Sequence, residues 1–92
     1  MLGNLGNVYR NQGDLPKSEE HYQQALVIDR ELGNRLGEAK HLGDLGSLAG
    51  RREQQDEACR LLQEAATIYA EIGARGPGPD TVRATLEELG CE

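Results

Sequence analysis

The sequence predicts an all-α solenoid: two stacked helix pairs, with one more helix closing the stack. Two observations carry this reading. The chain repeats itself at an offset of 40 residues, and within each unit the apolar residues recur at the spacings of a helix face. Aligning residues 2–35 with 42–75 gives 10 identities over 34 positions. Leu2, Gly3, Leu5 and Gly6 return as Leu42, Gly43, Leu45 and Gly46, and Gln23, Ala25, Ile28, Glu31, Gly33 and Arg35 return as Gln63, Ala65, Ile68, Glu71, Gly73 and Arg75. A unit of this length cannot bury its apolar face alone, so neighbouring units must stack. Composition agrees. Phe and Trp are absent and Tyr occurs 3 times, so Leu, Ile, Val and Ala must build the core, and such side chains suit close helix packing.

The first helix carries Leu2, Leu5, Val8 and Tyr9 on one stripe. Gly13-Asp14 interrupts it, with Asp14 as an N-cap and Pro16 suited to a first turn. The second helix is expected over about 15–32, with Ser18, Tyr22, Ala25, Ile28 and Leu32 facing inward and Gly33 as its stop. The third runs from about Arg35 to Ala49, and Gly50 with Arg51, Arg52 and Glu53 marks the next turn. The fourth runs from about Gln54 to Ile72, with Ala58, Leu62, Ala65, Ile68 and Ile72 inward and Gly73 after it. Gly76-Pro77-Gly78-Pro79 reads as a non-helical linker over 74–79. Asp80 then caps a last helix over 80–90, whose Val82, Leu86 and Leu89 form a stripe and whose Arg83, Glu87 and Glu88 form a solvated face. The expected organisation is a single domain over 1–92, with repeats at about 2–33 and 35–73 and the last helix as a cap.

The residues at fixed places in the two units identify a resemblance. Leu5-Gly6, Tyr9, Ser18, Tyr22 and Ala25 in the first unit, and Leu45-Gly46, Ala49, Ala58, Leu62 and Ala65 in the second, resemble the tetratricopeptide repeat. Gly13-Asp14 matches that family's turn, and Glu53 stands where Gly13 stood. The period of 40, closed by Glu-Leu-Gly-Asn-Arg-Leu-Gly-Glu-Ala, looks like the long-helix subgroup. The resemblance covers about residues 2–75 and implies a right-handed solenoid whose first helices line a concave groove. It implies that partners meet the non-core faces of those helices: Gly3, Asn7, Arg10 and Asn11 in the first unit, matched by Lys40, Gly43, Ser47 and Arg51 in the second, with Asn4 and Asp44 flanking them. Asn7 and Asn11 suit a peptide backbone, because an amide side chain both donates and accepts. Arg10, Lys40 and Arg51 suit acidic groups. Some relatives clamp a peptide's terminal carboxylate with Lys and Asn. This chain keeps Asn7 but has Gly3 where the lysine would stand, so that clamp is not expected.

The glycines need their own account, since each one inside a helix costs about 1 kcal/mol relative to Ala. Gly6 and Gly46 lie beside the apolar stripe, which points to close approach of a neighbouring helix. Gly3 and Gly43 lie off it. They serve either another helix contact or a groove floor without side chains.

Catalytic chemistry has little to stand on. His21 and His41 lack metal-ligand spacing. His21 falls on the solvated stretch Glu19-Glu20-His21, and His41 beside the apolar stripe reads as structural or groove-lining. Cys59 reads as a small packed residue and Cys91 as part of a frayed tail. The two do not make a disulfide scaffold. Pro77 and Pro79 remove amide donors, so the Gly-Pro stretch is no phosphate cradle. The expected function is therefore a non-enzymatic interaction module, without catalytic residues, cofactor or metal, that binds a protein or peptide. The alternative is a self-assembling structural element.

Charge and hydropathy narrow the partners. The net charge is −6, which disfavours nucleic acid and anionic membranes. The excess sits late: residues 41–92 carry 5 basic and 10 acidic side chains, against 5 and 6 in residues 1–40. No apolar run spans a membrane and Met1-Leu2-Gly3-Asn4 does not open a leader, so a cytoplasmic setting is expected. Leu2, Leu5 and Val8 start almost at Met1 with no covering helix before them. Either the chain is the last part of a longer array, or two copies cover each other's open ends.

Overall fold

The structure, a computed structural model, describes residues 14–91. It contains four helices: α1 (Leu15–Leu32), α2 (Arg35–Arg51), α3 (Gln55–Glu71) and α4 (Pro77–Leu89). These are the expected second to fifth helices. The expected first helix, with its stripe Leu2, Leu5, Val8 and Tyr9, lies outside the described residues. α2 and α3 share the largest interface, α1 packs on α2, and α4 packs on α3 and α2. The architecture is an all-α helical repeat.

Local signals set the boundaries. The Asp14 carboxylate accepts a hydrogen bond from the Lys17 amide at 3.3 Å, with Pro16 in the first turn of α1. Asn34 does the same for α2, accepting from the Gly37 amide at 3.0 Å. Each helix is closed by a left-handed residue: Gly33 (φ 68°), Glu53 (φ 61°), Gly73 (φ 65°) and Gly90 (φ 69°). Glu53 is the only one with a side chain to accommodate among these four. It adopts this geometry at a steric cost that glycine avoids. α2 thus runs past Gly50 to Arg51, two residues beyond the expected end.

The expected linker is the main revision. Pro77, Gly78 and Pro79 form the first turn of α4, and Asp80 sits inside that turn rather than capping it. Proline is tolerated there because first-turn amides have no helical partner to lose. Gly76, at φ 112° and ψ −159°, makes the entry bend in a region essentially restricted to glycine. Gly78 permits contact with α3, since a Cβ at that position would lie 2.8 Å from the Tyr69 hydroxyl.

The core comprises Tyr22 and Leu26 of α1, Ala39, Leu42, Leu45, Leu48 and Ala49 of α2, Ala58, Leu61, Leu62, Ala65, Ile68 and Tyr69 of α3, and Val82 of α4. The expected α1 stripe holds through Ser18, Tyr22 and Ala25 and then turns. Leu26 and Asp29 are buried, whereas Ile28 and Leu32 are 44% and 76% exposed. Ile72, also expected inward, is 41% exposed beyond the end of α3. Ile68, the repeat partner of Ile28, is buried. The difference follows from position: α3 lies between α2 and α4, whereas among the described residues α1 packs chiefly on α2. Gly46 meets its expectation, because a Cβ there would sit 2.6 Å from Leu62 Cγ and 3.3 Å from the Ala58 carbonyl oxygen.

Both cysteines depart from their expected roles. Cys59 of α3 and Cys91, just past α4, form a disulfide with a Cα–Cα distance of 5.6 Å. α4 runs back along α3, bringing its end beside the start of that helix, where the Gln55 side-chain amide donates to the Leu89 carbonyl at 2.5 Å. The return of α4 is what pairs them.

Candidate functional site

The residues expected to meet a partner divide into three groups. Lys40, Gly43, Asp44 and Ser47 line one cleft of about 280 Å³. Its opposite wall is α4, through Pro77, Gly78, Thr81 and Val82, and Tyr69 of α3 completes it. Arg51 continues the same face of α2 one turn further, exposed and outside the cleft lining. Asn4, Asn7, Arg10 and Asn11 lie outside the described residues.

The cleft combines few polar groups with small or apolar walls. Lys40 is exposed at its rim, while Asp44 and Ser47 are half-buried. Burial raises the Tyr69 hydroxyl above its ordinary pKa of 10.0, and the Asp44 carboxylate adds to that shift. Gly43 makes a helix contact. A Cβ there would meet the Val82 side chain at 3.3 Å, and the residue also lines the cleft. The sequence did not point to the α4 wall or Tyr69. The linker reading hid Pro77 and Gly78, and Tyr69 falls outside the stripe of Ala58, Leu62, Ala65, Ile68 and Ile72 expected for its helix.

Other polar groups are engaged in holding the helices together. The His41 Nδ1 lies 2.6 Å from the Asp29 carboxylate, with both side chains nearly buried, and the His41 ring is 6.3 Å from that of Tyr22. His41 therefore ties α2 to α1, and it lines none of the clefts described here. His21 is half-buried rather than solvated. A chain of ion pairs runs across three helices. Glu57 meets Arg60 at 2.5 Å, Arg60 meets Glu64 at 3.7 Å, Glu64 meets Arg30 at 3.4 Å, and Arg30 meets Glu38 at 3.1 Å. Glu38 in turn meets Arg35 at 2.9 Å, and Arg35 meets Glu71 at 2.6 Å. Hydrogen bonding to Arg60 holds the Glu57 carboxyl below its usual range, and the bonds to Glu71 and Glu38 raise Arg35. A second cleft, of about 410 Å³ between α1 and α3, has Leu26, Leu45 and Leu61 in its floor. Arg30, Arg60 and Glu64 from the ion-pair chain line its rim, together with Arg52, which pairs with Glu19. Among the described residues no cluster of His, Cys, Asp and Glu could hold a metal ion, and no helix is long and apolar enough to cross a membrane.

A family model of the tetratricopeptide repeat matches residues 1–71. The chain belongs to the tetratricopeptide-repeat family. Repeats of this family generally mediate protein–protein interaction, and the family is one of non-enzymatic interaction modules. The chain is also similar to the 43 kDa receptor-associated protein of the synapse from Tetronarce californica, at 26% identity over 69 residues. The match covers 75% of this chain and 17% of that relative. No solved structure matches the chain.

Proposed function

We propose that this tetratricopeptide-repeat chain is a non-enzymatic module that holds a segment of a protein partner in the cleft between α2 and α4. The observation that supports the reading is convergence. Lys40, Asp44 and Ser47 face one concavity, whose remaining walls are Gly43, Tyr69, Pro77, Gly78, Thr81 and Val82. Gly43 and Gly78 leave room for a partner's backbone, the polar groups orient it, and the apolar walls take a side chain. Lys40, and Arg51 one turn past Ser47, offer cations to acidic groups of the partner. Asn4, Asn7, Arg10 and Asn11 extend the surface in this reading, with Asn7 and Asn11 on the partner's backbone. The net charge of −6 argues against phosphate backbones as partners.

The test is a displayed random-peptide library selected on the immobilised chain, followed by titration of the selected peptides. Ser47→Arg, which fills the cleft, should weaken binding by about tenfold or more. Gln23→Arg, on α1 and outside the lining of this cleft, should leave it unchanged. Equal affinity for both variants would place binding elsewhere. A second reading has one observation behind it. Leu32 and Leu36, flanking the turn between α1 and α2, are 76% and 57% exposed, which suits self-association. Sedimentation equilibrium over a wide concentration range separates the two, because only self-association gives a mass that rises with concentration.

A further inference from the structure

We infer that the Cys59–Cys91 disulfide is a reducible latch on α4, and that thiol–disulfide exchange with a dithiol opens the α2–α4 cleft. The bond joins residues 32 apart in sequence and encloses most of α3, the turn after it and all of α4. α4 depends on it more than any other described helix does. It has 13 residues, a length at which an isolated helix is marginal in water. Val82 is its one buried side chain, and Leu86 and Leu89 are only partly covered. The hydrogen bond from Gln55 to the Leu89 carbonyl is on the surface. By contrast, α2 and α3 bury a continuous set of side chains against each other, and α1 adds Tyr22 and Leu26 to that core. Cutting the disulfide therefore removes the main restraint on α4 and leaves the other three helices with theirs. The helix released is the one that carries Pro77, Gly78, Thr81 and Val82 of the cleft wall.

The chemistry needs only an external dithiol. Both cysteines are half-buried, so neither sulfur is sealed in the core. A thiolate of the dithiol attacks one sulfur, the Cys59–Cys91 bond breaks, and the departing sulfur takes up a proton. The second thiol of the reductant then attacks the mixed disulfide and leaves as the oxidised, cyclic form. Two electrons and two protons pass to the protein, which gains two thiols. Oxidation by a small disulfide reverses the step.

The functional consequence rests on the cleft reading above, but the test does not. The full-length chain is prepared without reductant, and amide hydrogen exchange is followed by mass spectrometry with and without dithiothreitol. Protection across 77–89 should fall by about tenfold or more on reduction, while protection across 15–71 stays within about twofold. Cys91→Ser should give the reduced pattern with no reductant present. Unchanged exchange in α4 would overturn the proposal, as would an even loss across all helices, which would make the bond a staple for the whole fold. Finding two alkylatable thiols in the oxidised preparation would overturn it as well. No partner is present in these measurements, so a negative result leaves the cleft reading to its own peptide test.

Discussion

Gly46 and Gly50 lie one turn apart on α2, and replacing each with alanine should shift stability in opposite directions. Either change gains about 1 kcal/mol of helix propensity. The surroundings then decide the sign. At Gly46 the new methyl would sit 2.6 Å from Leu62 Cγ and 3.3 Å from the Ala58 carbonyl, where carbon atoms prefer about 3.5–4.0 Å. Leu62 is 1% exposed within the core, and the carbonyl belongs to the α3 backbone. Such overpacking costs about 1–3 kcal/mol, so Gly46→Ala should be destabilised by about 1 kcal/mol net. At Gly50 the same methyl would touch the Leu89 methyls at 3.8 Å and Ala58 Cβ at 4.0 Å, ordinary contact distances. Gly50→Ala should therefore gain about 1 kcal/mol. The gap of about 2 kcal/mol corresponds to roughly 8–16 °C in Tm for a chain of this size, readable by circular dichroism in thermal and urea melts. If Gly46→Ala were as stable as Gly50→Ala, close approach of α2 and α3 would not be the reason for Gly46.

Three further predictions can be checked with the same melts. Glu53→Gly relieves a left-handed φ of 61°, which costs about 1–2 kcal/mol for a residue with a Cβ. After glycine's larger unfolded-state entropy is subtracted, the gain should be about 0.5 kcal/mol; a lower Tm would argue against strain at that turn. Glu38→Gln removes the charge that Arg30 and Arg35 share on a nearly buried carboxylate. The cost should be about 1 kcal/mol at low salt and should shrink in 1 M salt, where screening acts over about 3 Å. A cost independent of salt would assign the effect to packing. Tyr69 holds its proton more tightly folded than unfolded, so its contribution to stability is intact below pH 10.0 and lost as pH rises above it. Tyr69→Phe should lose less stability than the parent chain between neutral pH and the region above 10.0; identical profiles would refute the burial argument.

Much of the candidate site was legible in the sequence as a face of one helix. Lys40, Asp44, Ser47 and Arg51 follow at spacings of four, three and four, and on a helix that alone puts them on one side. Which of them meet a cavity was not legible, because the cavity needs a second wall. That wall comes from α4, whose first turn contains the Gly-Pro stretch that reads as a linker. The pattern of two prolines among glycines admits either a linker or a helix start. The contact between Gly78 and Tyr69 selects the second.

The repeat, the all-α class, the cap at Asp14 and the glycine stops at Gly33, Gly73 and Gly90 can be read from the residue order alone. These are near-neighbour effects: a helix face has a period of 3.6 residues, and a left-handed φ favours glycine, so both can be read within a few positions. The rest depends on how the helices pack. After Ala25 the inward stripe of α1 could continue through Ile28 and Leu32 or through Leu26 and Asp29, since both follow helical spacing. The seat that α2 offers, with His41 waiting for the Asp29 carboxylate, chose the second. The antiparallel return of α4 along α3 likewise joined Cys59 to Cys91 across 32 residues. In the chain-entropy account a bond across such a loop is worth roughly 3–4 kcal/mol, yet no local spacing announces it, because what brings the two sulfurs together is the path of the intervening helices.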